Sequence, residues 1–150
     1  MLYQYQNIYQ LSRENTGFTQ EKASELLDIS VESLRAYEND KRVPPTTVVS
    51  KMTEIYNNQF LGYQHLKSSI GNELIDLPNV KLKTISSAAL KLYIAIRNYL
   101  KLEDDFIRVV EDDVIDKDEE EVWNIGMENI DDLHEAVLGL KFATKASNIK

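Results

Sequence analysis

The chain has 150 residues, 43% of them hydrophobic, enough for one sizeable core or two small ones. It has no cysteine, which excludes a disulfide framework and thiolate metal sites and points to a reducing cytoplasm. A formal net charge of −8 argues against indiscriminate coating of nucleic acid.

The charge is unevenly spread. Residues 1–60 hold 6 Lys and Arg against 8 acids, residues 61–82 hold 2 of each, and residues 83–150 hold 9 against 15. Repulsion toward phosphate therefore sits mainly in the second half, and the two halves read as having different jobs. Neither a charged-then-apolar leader nor an apolar run near the roughly 18 residues of a membrane span is present, so neither secretion nor membrane spanning is expected.

In chain order, residues 4–15 read as a first helix with Tyr5, Ile8, Leu11 and Tyr9 as its apolar face, ended by Thr16-Gly17. Thr19 caps a second helix to about Leu27, with Leu26, Leu27 and Ile29 as apolar contacts. Asp28 falls at a tight turn, where a residue tolerant of the left-handed conformation is needed. Ser30 caps a third helix to about Asn39, packed through Leu34 and Tyr37. Pro44-Pro45 breaks the chain. Thr46 or Thr47 then caps a fourth helix to about Asn57, with Val48, Val49, Met52, Ile55 and Tyr56 on its face. A fifth helix over Gln59–Ser69 is expected to bury Phe60, Tyr63 and Leu66.

Residues 70–82, with Gly71 and Pro78, have no clear period and read as a linker. From Lys83, apolar residues at Ile85, Ala89, Leu92, Ile96, Tyr99, Phe106 and Val110 predict one long helix. Leu90, Ile94, Leu100 and Ile107 widen its stripe. An acidic connection over Asp112–Glu120 leads to a final helix from about Glu119 to Ala143, carrying Trp123, Met127, Ile130, Leu133, Val137 and Leu140. The expected fold is all-α: residues 1–69 as one domain, 70–82 as linker, and 83–150 as a helical hairpin. That hairpin has too much apolar face to bury alone, which favours pairing with a second copy.

The run from Thr19 to Pro45 is two short helices about a tight turn, an arrangement whose common use is to lay its second helix in the DNA major groove. Gly17, Thr19-Gln20-Glu21, Ile29-Ser30, Leu34, Tyr37-Glu38-Asn39, Lys41, Arg42 and Pro44 resemble the Cro and phage-repressor type of helix-turn-helix, also called the xenobiotic-response-element family. The resemblance implies a compact five-helix domain, a small residue at Ser24 where the motif helices approach, and an operator in double-stranded DNA as partner. More loosely, Ala88-Ala89-Leu90, the acid-rich run Val109–Glu121 and the helix through Ala136 and Leu140 resemble the tail of regulators found in prophages of Gram-positive bacteria.

The DNA-facing set that this implies is Thr19, Gln20, Ser30, Val31, Glu32, Ser33, Arg35, Ala36, Asn39, Lys41 and Arg42. Gln20 is expected on a phosphate at a helix N-terminus, against the plain alternative of a surface glutamine. Val31 and Ala36 offer only methyl groups, Glu32 can accept from cytosine N4, and Arg35 is the strong donor, suited to guanine or a phosphate. The alternative is that Glu32 and Arg35 merely solvate an exposed face. Asn39, Lys41 and Arg42 lie where phosphodiester contacts are expected, or simply balance the helix dipole, and Asp40 replaces the glycine common there. Arg13 and Glu38 match an inter-helix salt bridge of the family, with a role in orientation rather than net stability.

The acids between Asp112 and Glu121 lack the central glycine of a calcium loop and read as a solvated charge run, and His65 and His134 are far apart, so no metal or cofactor is expected. No phosphate loop, nucleophile motif or histidine–carboxylate constellation points to an enzyme. The expectation is a cytoplasmic transcriptional regulator, a repressor, acting as a homodimer or higher homo-oligomer through residues 83–150. The alternative is a protein-interaction module or antitoxin with a degenerate helix-turn-helix and an acidic partner-binding half.

Overall fold

Asn7 caps the first helix. Its backbone is non-helical and its side-chain oxygen accepts from the N–H groups of Tyr9 and Gln10, at 2.8 and 3.2 Å. The computed structural model describes residues 7–71 and 76–143, and the chain divides between Leu77 and Pro78 into two units. Residues 4–6, including the expected apolar contact Tyr5, and residues 72–75 of the expected linker lie outside the described residues.

In the first unit α1 spans Ile8–Glu14, α2 Gln20–Leu27, α3 Val31–Glu38, α4 Thr46–Ile55 and α5 Gln59–Leu66, followed by a wider π-type turn over Lys67–Gly71. Local chemistry sets most boundaries. Thr19 and Ser30 each accept from a backbone N–H three residues on, at Lys22 and Ser33, both at 3.1 Å. Asp28 ends α2 in the left-handed region at φ 57° and ψ 47°, reversing the chain in one residue. The expected threonine cap of α4 is not formed: Pro45 holds the cap position, with no side-chain bond, and Thr46 is already helical. The fixed φ of Pro45 sets the entry direction instead.

Tyr9, Ala23, Leu27, Leu34, Tyr37, Val49, Met52, Tyr56 and Leu61 form the core of this unit. Ala23 and Ser24 are both buried, so the inner face of α2 is small where α3 packs. Three expected core leucines are outside: Leu11, Leu26 and Leu66 are 42, 41 and 45% exposed. The reason is helical phase. α1 turns Tyr9, Ser12 and Arg13 inward, and α5 turns Leu61 and His65 inward. These faces carry polar groups with internal partners: Tyr9 Oη lies 2.8 Å from His65 Nδ1, and Asn58 donates to Ser12 at 3.0 Å. Phe60 and Tyr63 are then only half-buried, stacked on each other at 6.1 Å.

In the second unit α6 spans Ile85–Lys101, α7 Glu103–Val109 and α8 Glu120–Lys141. The single long helix expected from Lys83 to Val110 is broken at Leu102, whose N–H bonds back to Tyr99 and Leu100 carbonyls as the helix closes. Glu103, Asp104 and Asp105 then occupy the first turn of α7, where carboxylates favour a helix N-terminus. The seam is also rotated. Ala88 and Ala95 are buried with Leu92 and Tyr99 half-buried between and beyond them, a 4-3-4 spacing, while Ile85, Ala89 and Ile96 face outward. On α8, Gly126 and Ala136 are buried, whereas Met127 and Val137 are 37 and 40% exposed. Phe106 stacks on Trp123 at 5.7 Å and meets Tyr99 edge-on at 6.3 Å. A Cβ at Gly126 would stand 2.2 Å from the Phe106 ring, so that ring needs a glycine beneath it. Lys91 and Glu135 pair across α6 and α8 at 2.6 Å. The acids between α7 and α8 hold backbone N–H groups: Asp112 accepts from Val114, and Asp116 from Asp118 and Glu119. The described regular elements are all helices, and the fold is all-α. No helix of the described residues is long and apolar enough to cross a membrane.

Candidate nucleic-acid interface

α3 is fastened along its inner side. Leu34 is fully buried, Tyr37 and Glu38 nearly so, and this rotation leaves Glu32 and Arg35 exposed with Val31, Ser33 and Ala36 half-exposed. Ser30 and Thr19, at the starts of α3 and α2, are exposed, and each spends its oxygen on a backbone N–H. Ser30 also donates to the Ser33 hydroxyl at 3.0 Å.

Beneath the exposed face lies a buried ion pair. Arg13 Nε meets Glu38 Oε1 at 2.7 Å, and Arg13 Nη2 meets Glu38 Oε2 at 3.0 Å, with the two side chains 8 and 2% exposed. Arg13 Nη1 donates to the Phe18 carbonyl at 2.7 Å, and the hydrogen bond to Glu38 holds the guanidinium above its ordinary pKa. Glu38 Oε2 accepts a further bond, at 2.7 Å, from Gln20 Nε2. Gln20 Oε1 in turn accepts from Arg35 Nε at 3.0 Å, and Arg35 Nη2 lies 3.7 Å from Glu21 Oε1. The Glu21 carboxyl is held below its ordinary pKa, first by its own backbone N–H and then by the Thr19 hydroxyl. A chain of side chains thus runs from α1 through the end of α3 to α2, and back out to the exposed middle of α3.

The residues past α3 behave differently from one another. Asn39 turns its amide back and donates to the Arg35 carbonyl at 2.7 Å, closing the helix end. Asp40 takes a positive φ of 55°, which accords with a position where glycine is common. Its carboxylate accepts from Asn7 Nδ2 at 2.5 Å, and the same amide donates to the Tyr37 carbonyl at 2.9 Å. Asn7 thereby ties the start of α1 to the end of α3, a role that apolar periodicity gives no means of finding. Arg42 lies over the Tyr37 ring at 4.9 Å and donates to its hydroxyl at 3.2 Å, while Lys41 is exposed.

The sequence-derived set therefore falls into three groups. Thr19, Gln20, Ser30, Val31, Glu32, Ser33, Arg35 and Ala36 belong to the two motif helices or their caps. Asn39, Lys41 and Arg42 follow α3, with Arg42 packed on an aromatic ring. Arg13 and Glu38 are joined below.

A helix-turn-helix family profile matches residues 11–60, from within α1 to the start of α5. The HTH-type transcriptional regulator ImmR of Bacillus subtilis (strain 168) is 31% identical over 84 residues, covering 54% of this chain and 61% of that protein. The similarity thus spans about three-fifths of that relative's length. No solved structure matches at a significant level. Motif helices, the left-handed turn at Asp28 and the profile match coincide, and the chain carries a Cro/C1-type helix-turn-helix domain in its N-terminal part.

Proposed function

We propose that this chain is a sequence-specific DNA-binding transcriptional regulator, a repressor, that lays α3 in the major groove as a homodimer in the cytoplasm. The observation that carries this reading is the exposed guanidinium of Arg35 on a helix whose inner face is locked by Leu34, Tyr37 and Glu38. A helix so anchored offers the same outer face at every encounter, and Arg is the side chain best matched to guanine. The similarity to a protein named as a transcriptional regulator supports the same reading. In it, Val31 and Ala36 supply methyl contacts, Glu32 meets cytosine N4, and Thr19, Ser30 and Ser33 line the approach. Asn39, Lys41 and Arg42 lie along the phosphodiester.

Residues 83–150 serve pairing in this proposal. Leu90, Tyr93, Leu100 and Ile107 of that unit are 53–60% exposed, far more apolar side chain than a helical surface needs. Two-point attachment then offsets the weak phosphate attraction of an acidic protein. The test is selection of bound sites from a random DNA pool by the full chain. The expected product is a two-fold symmetric motif with half-sites about one helical turn apart. A pool with no enriched motif overturns the proposal.

A second reading, a partner-binding module or antitoxin, is favoured by Glu21 and Glu32, which set negative charge beside Arg35. It predicts that heparin retention at low salt survives the double change Arg35→Ala and Lys41→Ala, whereas DNA reading predicts its loss.

A further inference from the structure

The side chains of Gln20, Glu38 and Arg35 form a relay whose donors and acceptors match in one orientation only. Gln20 gives an N–H to the Glu38 carboxylate at 2.7 Å and takes the Arg35 Nε–H on its oxygen at 3.0 Å. Turned over, the amide would set its oxygen against a carboxylate and its N–H against a guanidinium N–H, both repulsive. Glu38 cannot swing to meet the amide elsewhere, because both its oxygens are engaged by the buried Arg13. The amide of Gln20 is therefore fixed from below, and it fixes the Nε edge of Arg35 from the side.

We propose that Gln20 is a positioning residue for Arg35, and that Arg35, so held, reads a guanine through the two terminal nitrogens of its guanidinium. This rests on the reading that α3 enters the major groove, and it gives Gln20 a role other than an independent phosphate contact. The chemistry follows from what the tether leaves available. With Nε occupied, the Nη1 and Nη2 N–H groups remain for the O6 and N7 acceptors that guanine presents side by side. A long side chain pinned at one edge also loses less rotamer freedom on binding than one searching from solution. Glu21, 3.7 Å from Nη2 on the exposed surface, is a weak competitor that the base displaces.

The test compares the 150-residue wild-type chain with Gln20→Ala, Arg35→Ala and Glu21→Gln, each checked for folding by its thermal melt. Two readouts are used. The first needs no DNA: hydrogen exchange at Arg35 Nε–H by NMR is expected to be slower in the wild type than in Gln20→Ala. Equal exchange overturns the tether even if DNA reading stands. The second is base preference in selected sites. Arg35→Ala is expected to lose guanine preference at one base pair by about 10-fold or more. Gln20→Ala is expected to blur that same base pair several-fold while leaving the others sharp, and Glu21→Gln to keep the preference and raise affinity. A uniform loss of affinity in Gln20→Ala with every base preference intact assigns Gln20 to phosphate and overturns the proposal. A slow-exchanging tether with no selected motif in the wild type overturns guanine reading and places the failure in the DNA reading itself.

Discussion

Arg13 and Glu38 face each other with two nitrogens on two oxygens, at 2.7 and 3.0 Å, where almost no water reaches. An ion pair so placed gains from geometry and loses from desolvation, and its net effect on stability is small. Its removal by halves is another matter. Glu38→Ala leaves a buried guanidinium with only the Phe18 carbonyl at 2.7 Å and the looser Glu14 carboxylate at 3.6 Å beside it, and is expected to cost about 3–5 kcal/mol. Replacing both residues, Arg13→Met with Glu38→Leu, is expected to cost far less than the sum of Arg13→Met and Glu38→Leu made singly. Urea unfolding of the four chains measures the difference, and additive losses would contradict the pairing.

Tyr56 sits beside that pair with its hydroxyl buried and without a hydrogen-bond partner among the described residues. Burial pushes its phenol up to about 12. Tyr56→Phe removes a buried hydroxyl that no described protein group hydrogen-bonds, so stability at neutral pH is expected to stay level or rise by up to about 1 kcal/mol. The unfolded phenol ionises near 10 and the folded one about two units later, so the wild type should lose stability as pH rises between those values. That alkaline loss should be smaller in Tyr56→Phe, as thermal melts at pH 9 to 11.5 would reveal.

His65 gives the opposite dependence. Burial lowers its pKa below the ordinary 6.5, and its Nδ1 lies 2.8 Å from the Tyr9 hydroxyl. The unfolded chain therefore binds a proton near 6.5 that the folded chain still refuses. Stability attributable to His65 is complete above about 6.5 and falls as pH drops toward its folded value, by at most about 1.4 kcal/mol per pH unit. Melts between pH 7.5 and 5.5 should slope less in His65→Gln than in the wild type.

Gly126→Ala tests the second unit. The added methyl meets the Phe106 ring at 2.2 Å, so the ring must leave its stack on Trp123. Overpacking of this kind is expected to cost about 1–3 kcal/mol. Adding Phe106→Leu should restore part of it, and no recovery would place the strain elsewhere.

What was legible in the sequence was what short-range chemistry decides. Thr19, Ser30 and Asp28 announce two helix starts and a reversal because each acts on backbone groups within three residues. The all-α fold followed from helical spacing and from those signals. Phase was harder. Periodicity of apolar residues assumes that inward faces are apolar, whereas α1 and α5 turn Ser12, Arg13 and His65 inward, which carried Leu11 and Leu66 to the surface. The break at Leu102 has no proline or glycine to mark it, and three acids in a row were its only trace. The tether from Gln20 to Arg35 spans 15 residues and joins two polar side chains, so nothing local in the sequence hints at it.

The stack of Phe106 on Trp123 gives the molecule a built-in optical label. Trp123 is the sole tryptophan, and it lies in the unit that follows Leu77, whereas the core tyrosines Tyr9, Tyr37 and Tyr56 lie in the unit before it. Indole emission therefore follows the melting of one unit alone, while far-ultraviolet ellipticity follows the helices of both. Superimposable curves from the two signals would mean that the halves unfold as a single cooperative body, and displaced curves would give each half its own midpoint.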